Sequence, residues 1–71
     1  MFYFLNKNIK YLRNKNNLTQ QELAYKLNIT ISALQKMESG NRNGSIYTLD
    51  LLKKIFNISL DELIYTDLSI N

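Results

Sequence analysis

The chain has 71 residues, of which 45% are hydrophobic, and its formal net charge is +3. A chain of this length has room for one compact core and buries only about 60% of its unfolded surface. It contains no cysteine and no histidine, which excludes disulfides, the usual soft metal sites and histidine-based acid/base catalysis. We therefore expect one domain over residues 1–71, with a core at about 5–65, a short tail at 66–71, and no metal or cofactor.

We expect no targeting signal in the amino-terminal residues. The apolar stretch Met1-Phe2-Tyr3-Phe4-Leu5 is too short for a signal peptide or a membrane span, and three polar residues follow it directly. The absence of cysteine fits a reducing compartment. We expect a cytoplasmic protein that has no contact with a membrane.

The charges are unevenly distributed along the chain. Residues 1–42 contain seven basic and two acidic residues, which gives +5, whereas residues 43–71 contain two basic and four acidic residues, which gives −2. Such an asymmetry directs a positive field from one part of a domain toward a polyanion. A solvated surface in a chain rich in lysine and asparagine would fit the charges about as well.

Hydrophobic periodicity predicts five short helices, taken here in chain order. Leu5, Ile9 and Leu12 lie at positions i, i+4 and i+7 and form one apolar stripe on a first helix that ends near Asn16. The second helix begins at Gln20, because the preceding Thr19 and the glutamate three residues later form a capping box.

The second helix stops at Asn28, a residue type that tolerates the left-handed conformation of a tight turn. Thr30 then caps a third helix, which runs from about Ile31 to Ser39 and ends at Gly40. This helix is predicted to bury one face and to present another, and the presented residues are Ser32, Gln35, Lys36 and Ser39.

Two further helices complete the pattern. Ser45 caps a fourth helix with an apolar stripe, and Ser59 with Glu62 forms a second capping box at the start of a fifth helix, which ends near Tyr65. The residues of the apolar stripe on the fourth helix are Leu49, Leu52 and Phe56. The sequence thus predicts an all-α fold.

These motifs resemble the Xre/Cro-type helix-turn-helix domain of bacterial and phage repressors, and the resemblance covers most of the chain. The matching pieces are Leu12-Arg13, Leu18-Thr19-Gln20-Gln21-Glu22-Leu23-Ala24, Ile29-Thr30, Leu34, Glu38-Ser39-Gly40, Thr48-Leu49 and Ile58-Ser59-Leu60-Asp61-Glu62-Leu63. Two positions depart from the family: Asn28 replaces the usual turn glycine, and Gly44 replaces a common proline. The resemblance implies a compact five-helix lambda-repressor-like domain, with the helix-turn-helix formed by helices 2 and 3.

The resemblance also implies site residues by position. Those expected to read base edges are Ile31, Ser32, Ala33, Gln35 and Lys36, with Ala33 as an apolar contact to a thymine methyl. Those expected to contact phosphate are Thr19, Gln20, Ser39, Asn41, Arg42 and Asn43. Arg13 and Glu38 match the family's internal ion pair. The alternatives are a solvated face for the polar positions, packing beside Leu34 for Ile31, and a secondary phosphate contact for Arg13.

Surplus apolar residues lie near both ends of the chain. Because family members commonly pair through helix 5, the resemblance implies a homodimer on a palindromic operator with half-sites about 34 Å apart. The expected dimer contacts are Leu60, Ile64, Leu68 and Ile70, and Phe2 and Phe4 add to the same surplus. The alternative is that the terminal segments cover their own core.

The function that follows from these expectations is sequence-specific binding of double-stranded DNA by a dimeric repressor or autoregulator, with helix 3 in the major groove. The alternative function is that of an antitoxin-like subunit, or of another module that binds a protein through its apolar surface. An enzyme fits poorly, because Asp61 and Glu62 are adjacent on a helix, as a cap requires, and do not converge as a catalytic pair. The residues also suggest no small-molecule ligand.

Overall fold

The structure, a computed structural model, describes residues 3–70, which fold into five α-helices without any strand. The helices are α1 (Leu5–Lys15), α2 (Gln20–Leu27), α3 (Ile31–Glu38), α4 (Ile46–Phe56) and α5 (Leu60–Tyr65). The prediction of an all-α domain with five helices is confirmed, and each helix lies where its periodicity and caps placed it.

Side-chain caps set the helix starts. The Thr19 hydroxyl accepts the Glu22 N–H at 3.0 Å, and the Glu22 carboxylate accepts the Thr19 N–H at 2.8 Å, so the capping box of α2 is complete. Thr30, Ser45 and Ser59 cap the three later helices in the same way. Each cap satisfies amides that the helix itself leaves without acceptors.

The helix ends use residues that accept positive φ. Asn28 closes α2 at φ 56° and Asn57 closes α4 at φ 51°. The loop between α3 and α4 requires glycine at position 44, where φ is 86° and an added Cβ would lie 2.7 Å from the Met37 Cε. Proline, which the family commonly has here, cannot adopt this positive φ, because its ring fixes φ at about −65°.

One apolar core joins all five helices. Within residues 3–70, α2 packs on α3, α1 packs on α3 and α5, and α4 packs on α2 and α5. The buried cluster consists of Leu5, Ile9, Leu12, Leu23, Ala24, Leu27, Leu34, Met37, Leu49, Leu52 and Leu63. Full burial of a leucine or isoleucine side chain stabilises the fold by about 1.5–3 kcal/mol, so this cluster fixes the angle between the helices.

A buried asparagine fastens the carboxyl-terminal segment to α1. The Asn8 side chain is fully buried, and its Nδ2 donates to the carbonyl oxygens of Leu63 at 2.8 Å and Thr66 at 2.7 Å. Its Oδ1 accepts the N–H of Leu68 at 3.0 Å. The sequence reading missed this role, although position 8 lies three residues after Leu5 and therefore on the buried stripe of α1.

An ion pair at the surface also holds the carboxyl-terminal segment against α1. Lys7 Nζ lies 2.7 Å from Asp67 Oδ2, and this bond, followed by hydrogen bonds from Ser69, lowers the pKa of Asp67 below its ordinary value. A carboxyl whose pKa is lowered by folding stabilises the fold above its unfolded pKa. The contribution of this pair is therefore lost as the pH falls below about 4.

The expected dimer contacts differ in how much surface they expose. Ile64 is only 5% exposed, and Leu60 and Leu68 are partly buried against the core. Ile70 is 69% exposed and Phe4 is half-buried, whereas Phe2 lies outside the described residues. Within one chain, Ile64 and Leu68 cover the core, because α5 and the residues after it pack over α1, and the dimer contact stays a prediction.

Replacement of Asn8 by alanine tests the role of the buried asparagine. The change leaves two carbonyl groups and one N–H without partners, and we expect the free energy of unfolding to fall by about 2–3 kcal/mol. Urea unfolding followed by circular dichroism measures the loss. Asn14→Ala is the matched control, because Asn14 is exposed on the same helix and should change stability by less than about 0.5 kcal/mol. Equal effects of the two changes would contradict the assigned role.

Candidate nucleic-acid interface

The α2 and α3 helices form a compact pair joined by residues 28–30. Ala24 is 2% exposed on α2, and its carbonyl oxygen accepts the N–H of Ile29 at 3.0 Å, which draws the turn against the end of α2. Ala24 belongs to the buried core cluster, so a larger side chain at this position would have to displace its neighbours. The orientation of α3 therefore depends on the close packing of α2 against it.

One face of α3 is open to solvent. Ile31 is 40% exposed, and Ser32, Gln35 and Lys36 are exposed beside it, because positions i, i+1, i+4 and i+5 share one side of a helix. Ala33 is only 8% exposed and lies on the buried side, in register with Met37. Ala33 thus offers almost no surface to a thymine methyl, while the other four predicted base-reading residues form one continuous face.

The predicted phosphate-contact residues lie at the start of α2 and in the loop after α3. Ser39, Asn41, Arg42 and Asn43 are exposed. Ser39 Oγ donates to the carbonyl of Lys36 at 3.0 Å and accepts from Asn41 Nδ2 at 3.0 Å, so this part of the loop is ordered by its own bonds. Such a loop presents polar groups beside the open face of α3.

The Thr19 hydroxyl is engaged in the capping box of α2, and the carboxylate of Glu22 lies close to the same end of the helix. The pKa of Glu22 is lowered, first by the backbone N–H of Thr19 and then by its hydroxyl. The Glu22 carboxylate is thus directed into the capping box, close to the amides at the start of α2. The amides that remain at this end are those of the first helical residues.

A buried ion pair connects α1 to the last turn of α3. Arg13 Nε donates to Glu38 Oε2 at 2.7 Å, Nη2 donates to Oε1 at 3.2 Å, and Nη1 donates to the carbonyl of Leu18 at 3.0 Å. The two side chains are 10% and 5% exposed. The guanidinium thus has little surface for a phosphate, and the geometry is that of a bidentate structural pair.

The same glutamate also reaches the two glutamines of the interface. Gln20 Nε2 donates to Glu38 Oε1 at 3.1 Å, and Gln35 Nε2 donates to Gln20 Oε1 at 3.3 Å. A predicted phosphate contact and a predicted base contact are therefore joined to each other and to the buried ion pair. Nothing in the periodicity of the sequence indicates this connection, because it depends on the crossing of three helices.

The electrostatics of the open face are favourable for a polyanion. Within residues 3–70 the ion pairs are Lys7–Asp67, Arg13–Glu38 and Lys54–Asp50. Lys36 and Arg42 therefore have no carboxylate within 4 Å in this part of the chain. Their charges are available to neutralise phosphates.

The described residues contain no cluster of acidic side chains that could hold a metal ion. Among the helices within 3–70, none combines the length and apolarity that a membrane crossing requires.

Comparison with known proteins gives a consistent set of relatives. The model of the helix-turn-helix family matches residues 9–63. The chain is 36% identical over 59 residues to the HTH-type transcriptional activator BcrR of Enterococcus faecalis, which covers 83% of this chain and 29% of that protein. It is 33% identical over 67 residues to the antitoxin PezA of Streptococcus pneumoniae serotype 4, covering 94% of this chain and 42% of that protein.

A third relative is the uncharacterized HTH-type transcriptional regulator YqaE of Bacillus subtilis, which is 40% identical over 58 residues, covering 82% of this chain and 50% of that protein. The chain thus spans between 29% and 50% of the length of these relatives.

Breaking the buried ion pair tests whether Arg13 is structural. Arg13→Met leaves the Glu38 carboxylate buried without its cation, and we expect the free energy of unfolding to fall by about 3–5 kcal/mol. In the double variant Arg13→Met/Glu38→Met no charge remains buried, and we expect it to regain at least about 1 kcal/mol of that loss. Urea unfolding of the single and double variants measures both values. A single variant as stable as the starting protein would contradict the structural role.

Proposed function

The chain belongs to the Xre/lambda-repressor-like helix-turn-helix family of DNA-binding regulators, and on that premise we propose that it reads a specific DNA sequence through α3. The observation that carries this proposal is the open face of α3, which presents Ser32, Gln35 and Lys36 together above a buried framework. The proposed role is binding without catalysis, in the cytoplasm, where the DNA of such regulators lies.

The proposed mode places α2 across the phosphates and the first turns of α3 in the major groove, which is wide enough to admit a helix. Within that groove, glutamine pairs best with adenine and lysine with guanine, so Gln35 and Lys36 specify adjacent bases. Ser32 adds a polar contact and Ile31 an apolar one. We assign the phosphate contacts to the start of α2 and to the loop at 39–43, where Arg42 supplies the positive charge.

We propose that the protein regulates by occupying promoter DNA, as a repressor or an autoregulator. One relative is named an activator, but the chain covers 29% of that protein, so the sign of its regulation does not transfer with the shared domain. A reporter fused to the DNA upstream of the chain's own gene tests the sign of regulation. Its expression is measured with and without the protein. A fall supports repression, and a rise contradicts it.

We also propose a homodimer, with a contact surface that differs in part from the one the sequence indicated. An apolar groove lies between the start of α4 and the start of α5, and its lining includes Ile46, Tyr47 and Leu60. Ile46 is 68% and Tyr47 is 81% exposed, which is unusual for large apolar side chains placed side by side. Leu60 is the one originally expected contact that lines this groove.

The charges at the groove favour a second copy of the chain as its occupant. Asp50 and Lys53 line the same groove with opposite signs. In a two-fold interface residue i of one copy meets residue j of the other and the reverse contact follows, so Asp50 can face Lys53 twice. The apolar side chains then supply the buried centre and the charges the rim.

The alternative function is that of an antitoxin-like subunit, which the 33% identity to PezA over 94% of this chain favours. In that case a different protein would occupy the apolar groove, and DNA binding would be secondary. Co-expression with the product of the adjacent gene discriminates the two. A stable complex between two different chains, lost on Tyr47→Glu, supports the alternative, whereas a homodimer in the presence of that product contradicts it.

Substitutions of two cations test the proposed reading of DNA. We expect Lys36→Ala to weaken binding to the specific site by about 1–3 kcal/mol and to leave binding to scrambled DNA almost unchanged. We expect Arg42→Ala to weaken binding to both DNAs and to reduce the slope of log K against log salt by about 1. Fluorescence anisotropy across a salt series, with DNA from upstream of the gene, measures both effects.

Lys10→Ala is the matched control for these cations, because Lys10 is exposed on α1 and belongs to none of the ion pairs of the described residues. It should leave both affinities within about twofold. If Lys36→Ala weakened specific and scrambled DNA equally, Lys36 would be a phosphate contact and the proposed base readout would be wrong.

A charge introduced into the apolar groove tests the dimer. In a homodimer Tyr47→Glu places one carboxylate from each copy in the contact. Because burial of these charges costs desolvation energy, we expect the association constant to fall at least about tenfold. Sedimentation equilibrium at tens of micromolar measures it. Tyr25→Glu is the matched control, since Tyr25 is 87% exposed on α2 and should leave the association constant unchanged. A mass of one chain for the unmodified protein would refute the dimer.

A further inference from the structure

The loop between α3 and α4 contains the dipeptide Asn43-Gly44, and no other asparagine in the sequence is followed by glycine. Asn43 is exposed. The side-chain hydrogen bonds of this loop within residues 3–70 involve Ser39, Asn41 and the cap at Ser45, and none includes Asn43. Because Gly44 has no Cβ, no side chain stands between its peptide nitrogen and the amide of Asn43.

The peptide nitrogen of Gly44 is also free of backbone bonding. Its N–H donates to no carbonyl within the described part of the chain, and the residue has a φ of 86°. The asparagines that end α2 and α4, Asn28 and Asn57, differ in this respect. Each is followed by an isoleucine whose N–H donates to a helix carbonyl oxygen, at 3.0 Å and 3.1 Å. Their neighbouring nitrogens are thus both hydrogen-bonded and shielded by a β-branched side chain, whereas that of Gly44 is neither.

We propose that Asn43 is a site of spontaneous deamidation, with water as the only co-reactant. Asparagine is among the chemically labile residues of proteins. The Gly44 nitrogen loses its proton and attacks Cγ of Asn43, and the new N–Cγ bond closes a succinimide ring. The Cγ–Nδ2 bond breaks, and the NH2 group takes up a proton and leaves as ammonia.

Water then opens the succinimide ring and returns a proton to the Gly44 nitrogen. Cleavage of the new N–Cγ bond gives aspartate at position 43, and cleavage of the original peptide bond gives isoaspartate. Nothing is oxidised or reduced in either case. Each product carries one carboxylate where the chain had a neutral amide, so the modification changes the charge of the loop by one unit.

The new carboxylate would lie in the loop that the proposed function places at the phosphates, so its effect on DNA rests on that function. It is adjacent to Arg42, which belongs to none of the ion pairs within residues 3–70. A negative charge there offsets the guanidinium and repels the phosphate backbone. Deamidation therefore weakens DNA binding as the protein ages, without a ligand or a partner protein.

The isoaspartate product also changes the backbone of the loop. It moves the side-chain methylene of residue 43 into the main chain, immediately before Gly44. The loop packs closely on α3 at this point, where a Cβ added to Gly44 would lie 2.7 Å from the Met37 Cε. A longer main chain cannot keep this contact and the position of the loop at the same time. Isoaspartate therefore displaces the loop in addition to adding a charge.

Mass spectrometry of peptides from the purified, aged protein tests the chemistry. We expect residue 43 to gain the mass that replaces NH2 by OH, in two forms that chromatography separates, with release of an equal amount of ammonia. Conversion should be faster at mildly alkaline than at neutral pH, because the attacking nitrogen must lose its proton. Asn41 is the internal control. It is exposed in the same loop, but an arginine follows it and its Nδ2 donates to Ser39 Oγ at 3.0 Å, so it should keep its amide.

Two further samples make this result decisive. Asn43→Gln should stay unmodified during the same incubation, because a longer side chain has to close a larger ring. The unmodified chain in urea shows how fast the amide is lost without the fold. A folded protein that keeps the amide of Asn43 while the chain in urea loses it would overturn the proposal.

Fluorescence anisotropy of the aged protein and of fresh Asn43→Asp tests the effect on DNA. Both should bind specific and scrambled DNA about tenfold more weakly at low salt, and the slope of log K against log salt should fall by about 1, as the loss of one phosphate contact requires. Aged Asn43→Gln should keep its own starting affinity. If Asn43→Asp bound both DNAs as tightly as the unmodified protein, the proposed weakening would be wrong. If the fresh unmodified protein bound no DNA, the proposed function would be wrong, and the masses alone would decide the deamidation.

Discussion

The pair of Arg13 and Glu38 is the interaction on which the arrangement of the helices depends most. Both side chains are buried, and the guanidinium also binds the carbonyl of Leu18, so one residue of α1 holds the end of α3 and the approach to α2 together. Charges are costly to bury, and the pair is tolerated because its geometry is bidentate and the third guanidinium nitrogen, Nη1, donates to the carbonyl of Leu18. The apolar core fills the space between the helices, while this pair sets the register in which they meet.

Local rules explain why so much of the fold could be predicted from the sequence. Caps at Thr19, Thr30, Ser45 and Ser59 and the left-handed Asn28 depend on neighbouring residues only, and a reader of the chain can recognise each of them. Periodicity assigns most of the core for the same reason, because the side of a helix follows from spacing along it. The open face of α3 could be predicted equally well, apart from Ala33, which the resemblance alone assigned to DNA.

The features that escaped prediction depend on contacts between distant parts of the chain. Asn8 reads as an ordinary polar residue, and its role exists only because residues 63–68 fold back over α1. Ile64 was expected to contact a partner chain, because the spacing of apolar residues does not tell whether a side chain covers its own core or another molecule. In the structure Ile64 is buried within its own chain. The link from Gln20 to Gln35 also joins residues fifteen positions apart, on two different helices.

The structure shows where the acidic side chains in the basic half of the chain are directed. Within residues 1–42 the acidic residues are Glu22 and Glu38, and each carboxylate is directed toward internal donors, the first to Thr19 and the second to Arg13 and Gln20. Carboxylates held in this way present less negative charge to an approaching phosphate than solvated ones would. Lys36 and Arg42 belong to none of the ion pairs of the described residues, so two positive charges without a carboxylate partner lie on α3 and in the loop after it. The residues that stabilise the helix pair thus also reduce the repulsion that a polyanion would meet there.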